Sequence, residues 1–378
     1  MLRRIEINNY KMFRDFKLDF TQGVNMICGP NGGGKSALRE VLFSLRNFLA
    51  MPDVAEHLAL SVDECFPVQA FCRWLPQELG FSDIEILIEL GVDTEWFSYS
   101  LKVRNNYHDN KSRVHEESLS YFKGTKEELL LSFKSGKIEM KTAGQKTLVF
   151  NSDWNMSGLV PGSSNNSNIK RFGALVSRIF AMHLDPSVIA NDFHEGTQTL
   201  GELGENFSAW HFYQMTTNSE KINQLTEECK NFIPGFVSVN SPKSGDLFRL
   251  KIRVQYNDKS YELALRELSD GQKILFALYS LLTYVPDGST ILIDEPENFL
   301  APSELQPWLN AVNDAWEEHD IQFVLITHNP KTLNWHHKEA VIFSIVDEPP
   351  RIIVEKNDRN SNTTLFERLA EMEWSKDG

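Results

Sequence analysis

Eight consecutive residues, Gly29-Pro30-Asn31-Gly32-Gly33-Gly34-Lys35-Ser36, match the spacing GxxxxGK[ST] of a phosphate-holding loop. Glycines let successive backbone N–H groups turn inward around an anion, and a helix starting directly afterwards adds the positive end of its dipole. In such a loop Lys35 reaches the β- and γ-phosphates of ATP, Ser36 offers its hydroxyl to Mg²⁺, and Ala37 opens the helix behind them. A second cluster is Thr290-Ile291-Leu292-Ile293-Asp294-Glu295-Pro296-Glu297, an apolar run that ends on adjacent carboxylates. Where a strand ends the chain can turn, so Asp294 can approach Mg²⁺ through water while Glu295 polarises an attacking water. Alone, two acids after an apolar run are more often a surface turn; their weight comes from the phosphate loop in the same chain.

These residues need strands and helices to aim them. Apolar residues 24–28 run into the glycines as a buried strand, and Ala37, Leu38, Val41, Leu42 and Leu45 repeat at helical spacing behind them. Residues 2–7 and 16–20 read as two further strands. Between about 51 and 150 the runs 84–90, 96–103, 129–133 and 137–141 are alternating, β-branched or aromatic, which predicts an antiparallel sheet. Residues 151–168 are rich in Ser, Asn, Gly and Pro and read as a loop. Helical spacing returns at Phe172, Leu175, Val176, Ile179 and Phe180, and again at Ile222, Leu225 and Cys229. Strands and helices then alternate: 248–254, a helix from Gly271, 290–293, a helix from Ser303, 323–327, and strands near 341–345 and 352–355. The tail from residue 357 reads as partly helical.

Composition narrows the function classes. A formal charge of −14 and a pI near 5.2 argue against attraction of the whole surface to nucleic acid. No uncharged apolar run approaches the length of a membrane span, and the first residues carry no apolar signal-peptide core. Cys28, Cys65, Cys72 and Cys229 match neither a redox pair nor a zinc knuckle, which favours a reducing cytoplasm.

Two more segments bring a family into view. Leu268-Ser269-Asp270-Gly271-Gln272 resembles the ABC signature LSGGQ, and the order phosphate loop, signature, Asp-Glu strand, Thr327-His328 strand is that of ABC-type ATPases. The resemblance implies that Ser269, with Gly271, Gln272 and the N–H groups of the following helix, meets the γ-phosphate of ATP held by a partner's loop. It makes His328 the switch histidine, able to bond the γ-phosphate or the attacking water, and sets Asn298 in the segment that crosses to the other protomer. The opening LRRIEINNYKMFRDFKLDF resembles the RecF, SMC and overcoming-lysogenization-defect (OLD) group rather than transporters. Within that group it looks most like compact stand-alone ATPases found beside nucleases or toxin-like partners in bacterial anti-phage modules.

The expectation is therefore α/β: an ABC-type P-loop ATPase head, a mixed sheet flanked by helices, with an antiparallel β subdomain, a helical insertion and no long coiled coil. Its parts would be a phosphate-loop lobe over 1–50, the β subdomain over 51–150, loop and helical insertion over 151–235, a signature and Asp-Glu lobe over 236–356, and a tail over 357–378. The cofactors are ATP and Mg²⁺, the assembly a homodimer closed over ATP with higher oligomers left open, and the partner a separate nuclease or toxin-like effector, with no membrane. A DNA-repair ATPase of the RecF kind and a non-hydrolysing ATP-sensing scaffold are the alternatives. Departures from the family pattern are Asp270 in place of a signature glycine, no EGxxE plus DxD nuclease pattern, and only Gln69 as a weak candidate for the lid glutamine.

Overall fold

The computed structural model describes residues 1–51, 59–74, 80–142, 144, 146–160, 166–335 and 340–356. The expected helical tail from 357, His336 and His337, and the middle of the 151–168 loop lie outside the described residues. Two compact units form, Met1–Ile179 with Val324–Gly378, and Phe180–Phe323.

The first unit opens with β1 (Leu2–Asn8), β2 (Phe16–Asp19), β3 (Val24–Cys28), helix α1 (Lys35–Phe48) and the short α2 (Val62–Cys65). There follow β4 (Phe81–Val92), β5 (Glu95–Asn106), β6 (Lys111–Lys123), β7 (Lys126–Lys134), β8 (Lys137–Lys141), β9 (Thr147–Asn151) and α3 (Ser167–Ser177). β1 and β2 hydrogen-bond into this meander, giving one antiparallel sheet in the order β2-β1-β4-β5-β6-β7-β8-β9. Along β5, Phe97, Tyr99, Leu101 and Val103 are buried while the residues between them are not, the two-residue period of a half-covered strand. α3 packs against the same rings: Phe172 meets Phe97 and Tyr99 at centroid distances of 5.8 and 5.5 Å. Burying such a side chain contributes about 1.5–3 kcal/mol. Asn166 caps α3 by accepting from the N–H groups of Asn168 and Ile169.

β6 is a strand that the residue pattern does not announce. Its middle reads His115-Glu116-Glu117, and register shifts at Lys102/Val103 and Leu119/Ser120 break the alternation. Pairing along both edges, to β5 and β7, outweighs weak local preference. Glu117 faces inward, where its carboxylate accepts from Tyr99 OH at 2.9 Å, from Ser157 Oγ and from the Gly158 N–H at 2.7 Å. The expected helix over 172–180 also needs correction: α3 stops at Ser177, and Ile179 and Phe180 belong to strand β10 (Ile179–Met182). Four consecutive buried apolar residues suit either element, and sheet pairing decides.

The second unit contains β11 (Asp192–Phe193), α4 (Phe207–Thr217), α5 (Ile222–Phe232), β12 (Phe236–Asn240), β13 (Lys243–Ser244), β14 (Leu247–Arg249), β15 (Lys251–Tyr256) and β16 (Lys259–Ala264). α6 (Asp270–Tyr284), β17 (Thr290–Asp294) and α7 (Pro302–His319) complete it. The single strand expected over 248–254 is two, β14 and β15, which enter different three-stranded sheets, β11-β14-β13 and β12-β15-β16. α6 is apolar on most sides because α4, α5 and α7 all contact it. Phe207 and His211 of α4 meet Phe276 of α6, and Trp210 and His211 meet Tyr284.

In this unit β10 neighbours β17. The unit boundary falls inside β18 (Gln322–Ile326). In the first unit β18 neighbours β3, followed by β19 (Ala340–Val346), parallel to β3, and β20 (Arg351–Lys356), antiparallel to β19. A short α8 (Pro330–Trp335) follows β18. The architecture is α/β with a mixed sheet; among the described residues the longest helix, α7, has 18 residues, so no long coiled coil is present. No helix of the described residues is long and apolar enough to cross a membrane. Cys28, Cys65, Cys72 and Cys229 form no disulfide and are buried, and burial pushes the Cys65 thiol up to about 12.

Burial holds the Glu117 carboxyl above its ordinary 4.5, although its three donors pull the other way. The folded state therefore binds this proton more tightly than the unfolded chain, so the contribution is present below 4.5 and lost as pH rises through the raised value. Urea unfolding of wild type and Glu117→Gln between about pH 4 and about pH 7 should show wild type losing stability relative to the variant as pH rises. A pH-independent difference would contradict this account. Glu117→Ala, which strands three donors, should cost about 1–3 kcal/mol.

Candidate nucleotide-binding site

β3 is buried at all five positions, as a strand flanked by β18 and β19 must be. It ends at Gly29, whose φ of +147° brings the chain so close to β19 that a Cβ would lie 2.3 Å from the Phe343 carbonyl oxygen. Pro30 is buried, Asn31 and Gly32 are exposed, and the Gly33 N–H donates to Pro30 O at 3.0 Å. Gly34, at φ +80°, is the N-cap of α1, offers no side-chain cap, and no acidic residue follows in the first turn. The positive end of α1 thus has no anionic side chain of its own helix to answer it, which suits a bound phosphate. Lys35 is only 7% exposed, and its Nζ donates to Gly29 O at 2.8 Å and Pro30 O at 2.9 Å, curled over the loop. Ser36 is exposed and Ala37 is buried beneath it.

The first unit brings the Thr327-His328 segment beside this loop. The Thr327 N–H donates to Ile27 O at 3.0 Å, tying the end of β18 to the strand that carries the loop. Thr327 Oγ1 accepts from Asn329 N–H and Asn329 Oδ1 accepts from Lys331 N–H, both at 2.9 Å, which starts α8. His328 is half-buried between these bonds. Gln69 lies exposed on a short 3-10 turn.

In the second unit β17 delivers Asp294 buried, at 5% exposure, and Glu295 half-exposed. Glu295 has φ +54°, the left-handed region that costs a non-glycine residue about 1–2 kcal/mol. Asn298 holds that turn: its N–H donates to Glu295 O at 3.1 Å and its Nδ2 donates to Glu295 Oε2 at 2.7 Å. Asn298, expected to face another protomer, here fixes the catalytic candidate of its own chain. His183, which no sequence pattern singled out, contacts Asp294 O through Nδ1 at 3.0 Å. Only the neighbourhood of β10 and β17 reveals it, since 111 positions separate the two residues.

The signature occupies the start of α6. Ser269 is the exposed N-cap; its Oγ accepts from Gln272 N–H at 3.2 Å, and Gln272 Oε1 accepts from Ser269 N–H at 3.2 Å. A hydroxyl that accepts there keeps its own proton to donate outward. Gly271 is required by proximity, because a Cβ would lie 2.8 Å from Phe299 O in the turn after Glu295. The signature and the acidic turn are therefore packed together within this unit. Asp270 forms an ion pair with Lys273 at 3.0 Å, which offsets the charge that it brings to the signature.

Residues 24–334 match the family described as "AAA domain, putative AbiEii toxin, Type IV TA system". The chain belongs to this AAA-domain family. Among individual proteins, a 42-residue stretch is 50% identical to the chromosome partition protein Smc of Thermoplasma acidophilum, covering 11% of this chain and 4% of that protein. In fold, the chain is similar to an SMC head bound to the C-terminal winged-helix domain of ScpA, with TM-score 0.54, 14% identity, and coverage of 94% of this chain and 98% of that one. It is also similar to an SMC head with an extended coiled coil bound to the C-terminal domain of ScpA from Pyrococcus furiosus, with TM-score 0.50, 13% identity, and coverage of 100% and 99%. The AAA-domain chain thus has the fold of an SMC head, and among its described residues no helix is long enough for the extended coiled coil of the latter structure.

Each unit of this AAA-domain chain carries donor types that the expected cofactors use. In the first unit Gly29 lets the loop lie against the Phe343 backbone where no Cβ fits, and Ser36 offers a hydroxyl; in the second unit Asp294 offers a carboxylate; both are hard oxygen donors of the kind Mg²⁺ takes. Among the described residues no group of three or more His, Cys, Asp and Glu could hold a metal. A few protein oxygens completed by waters and phosphates are the usual Mg²⁺ arrangement. Gly29→Ala should cost about 1–3 kcal/mol in thermal unfolding and abolish ATP binding by equilibrium titration. Gly33→Ala, whose Cβ would meet Pro30 O at 2.8 Å, should also weaken binding. Nucleotide affinity unchanged in both variants would refute the cradle.

Proposed function

We propose that this AAA-domain chain binds ATP with Mg²⁺, hydrolyses it, and closes as a homodimer around the nucleotide. The observation that carries the reading is Glu295, a carboxylate at the end of a buried strand, kept in a costly left-handed turn by two bonds from Asn298. Backbone strain of this kind persists only where surrounding bonds hold it, and it often clusters at active sites. In the reaction, inward N–H groups of the 29–36 loop and the Lys35 ammonium hold the β- and γ-phosphates. Glu295 accepts a proton from water as its oxygen bonds to the γ-phosphorus, the β–γ bridging bond breaks, and ADP and phosphate leave. His328 bonds the γ-phosphate or the water. When bound, Mg²⁺ supplies charge neutralisation at the β- and γ-oxygens, with Ser36 and Asp294 as its protein holders.

Ser269, Gly271 and Gln272 serve the ATP held by a second copy, so ATP favours the closed pair and hydrolysis reopens it. The exposure of Ser269 and its capping geometry support this. The chain would act as one split head, controlling a separate nuclease or toxin-like effector in bacterial defence. The family description names a toxin system, and two SMC heads of similar fold were solved with ScpA domains bound. The charge of −14 makes DNA the less favoured partner.

Phosphate release and mass in solution test the reading together. Glu295→Gln should lower turnover by about 10²–10⁴-fold and accumulate as a dimer with ATP. Lys35→Ala should neither bind nor dimerise. Equal, negligible release from wild type and Glu295→Gln, with no change of mass on adding ATP, would leave a non-hydrolysing scaffold instead.

A further inference from the structure

The acidic turn is held from one side by Asn298, which lies within it, and from the other by a residue far away in sequence. β10 runs beside β17, and directly after β10 the chain places His183, whose Nδ1 is 3.0 Å from the carbonyl oxygen of Asp294. That oxygen belongs to the peptide joining Asp294 to Glu295, the first peptide beyond the strand and the one that must rotate for Glu295 to reach φ +54°. His183 is itself anchored, its N–H donating to Glu202 O at 2.9 Å, and it is half-buried. A carbonyl can only accept, so a hydrogen bond there requires the proton on Nδ1, leaving Nε2 bare in the neutral ring.

We infer that His183 is a positioning residue: by donating Nδ1–H to the Asp294 carbonyl it fixes the peptide that aims the Asp294 and Glu295 carboxylates. Its role in turnover rests on the hydrolysis proposed above, whereas the bond itself does not. Asp294 and Glu295 lie at successive positions where a strand ends, and the orientation of their shared peptide sets ψ of Asp294 and φ of Glu295, the torsions that place one carboxylate relative to the other. Asn298 restrains the Glu295 carbonyl and carboxylate beyond that peptide, and His183 restrains the peptide's own carbonyl. Side chains that orient the groups holding a metal or a reacting water commonly affect activity by about 10–100-fold.

The ring and its amide mimics separate the possibilities. Asn places an N–H donor near the position of Nδ1, and Gln near that of Nε2. His183→Ala should lower kcat by about 10–100-fold with little change in KM for ATP, His183→Asn should recover most of the loss, and His183→Gln should not. Recovery by Gln and not by Asn would place the active nitrogen at Nε2 and overturn the inference, as would an Ala variant with wild-type kcat. Thermal unfolding of each variant checks folding, and if Ala does not fold, the comparison of Asn with Gln stands alone. Long-range ¹H–¹⁵N correlation on ¹⁵N-histidine-labelled wild type, with the His183 signal identified by its loss in His183→Asn, reads the tautomer without any turnover. A proton on Nδ1 is expected and a proton on Nε2 overturns the inference. If wild type releases no phosphate, the proposed hydrolysis fails while the tautomer still decides whether this bond exists.

Discussion

No side chain fits between Gly29 and the carbonyl of Phe343, and the phosphate loop owes its shape to that contact. β3 lies parallel to β19 with Cys28 opposite Ile342, so the strand is held in register up to the residue before the glycine. The chain must then turn at φ +147°, a conformation for glycine alone. Everything that follows is placed by this exit: the Pro30 carbonyl that receives Lys35, the left-handed Gly34 that starts α1, and the exposed Ser36. The Thr327 N–H bonds to the same strand one residue earlier, so the loop and the Thr327-His328 segment share one strand as reference.

Two helices begin in opposite ways, and the proposed function uses the contrast. α1 opens on a glycine that caps nothing, and its first turn carries no acid. α6 opens on Ser269, which satisfies Gln272 N–H and is satisfied in return. In the proposed function the first start is the one that an external anion along its axis would complete. The second is already stable, and can meet an anion edge-on through a hydroxyl proton without unravelling. The turn after Glu295 also packs on Gly271, so signature and acidic strand form one body rather than two loose loops.

Local chemistry was legible in the residues and long-range geometry was not. The phosphate loop, the apolar strand before Asp294 and the serine-led helix are written in contiguous spacing, and each lies where its pattern puts it. β6 escaped because charged neighbours and two register shifts hide its period, and α4 because its apolar residues are clustered around Phe207, Trp210 and Phe212 rather than repeating along one stripe. Ile179 and Phe180 continued a helical spacing across the point where α3 gives way to β10. His183 had no local mark whatever, because its importance arises only when β10 takes its place next to β17. Asn298 was noticed for a role toward another copy, and the bond of its amide to Glu295 three residues away was not legible in the sequence.

The four buried cysteines have a practical corollary. None forms a disulfide, none reaches the surface, and the thiol of Cys65 stays protonated far into alkali because thiolate is disfavoured among apolar neighbours. The native chain is consequently a quiet background for sulfhydryl reagents. A single cysteine engineered at an exposed site would take a fluorophore or spin label there and nowhere else while the protein remains folded, and the sudden appearance of extra labelling would itself report unfolding.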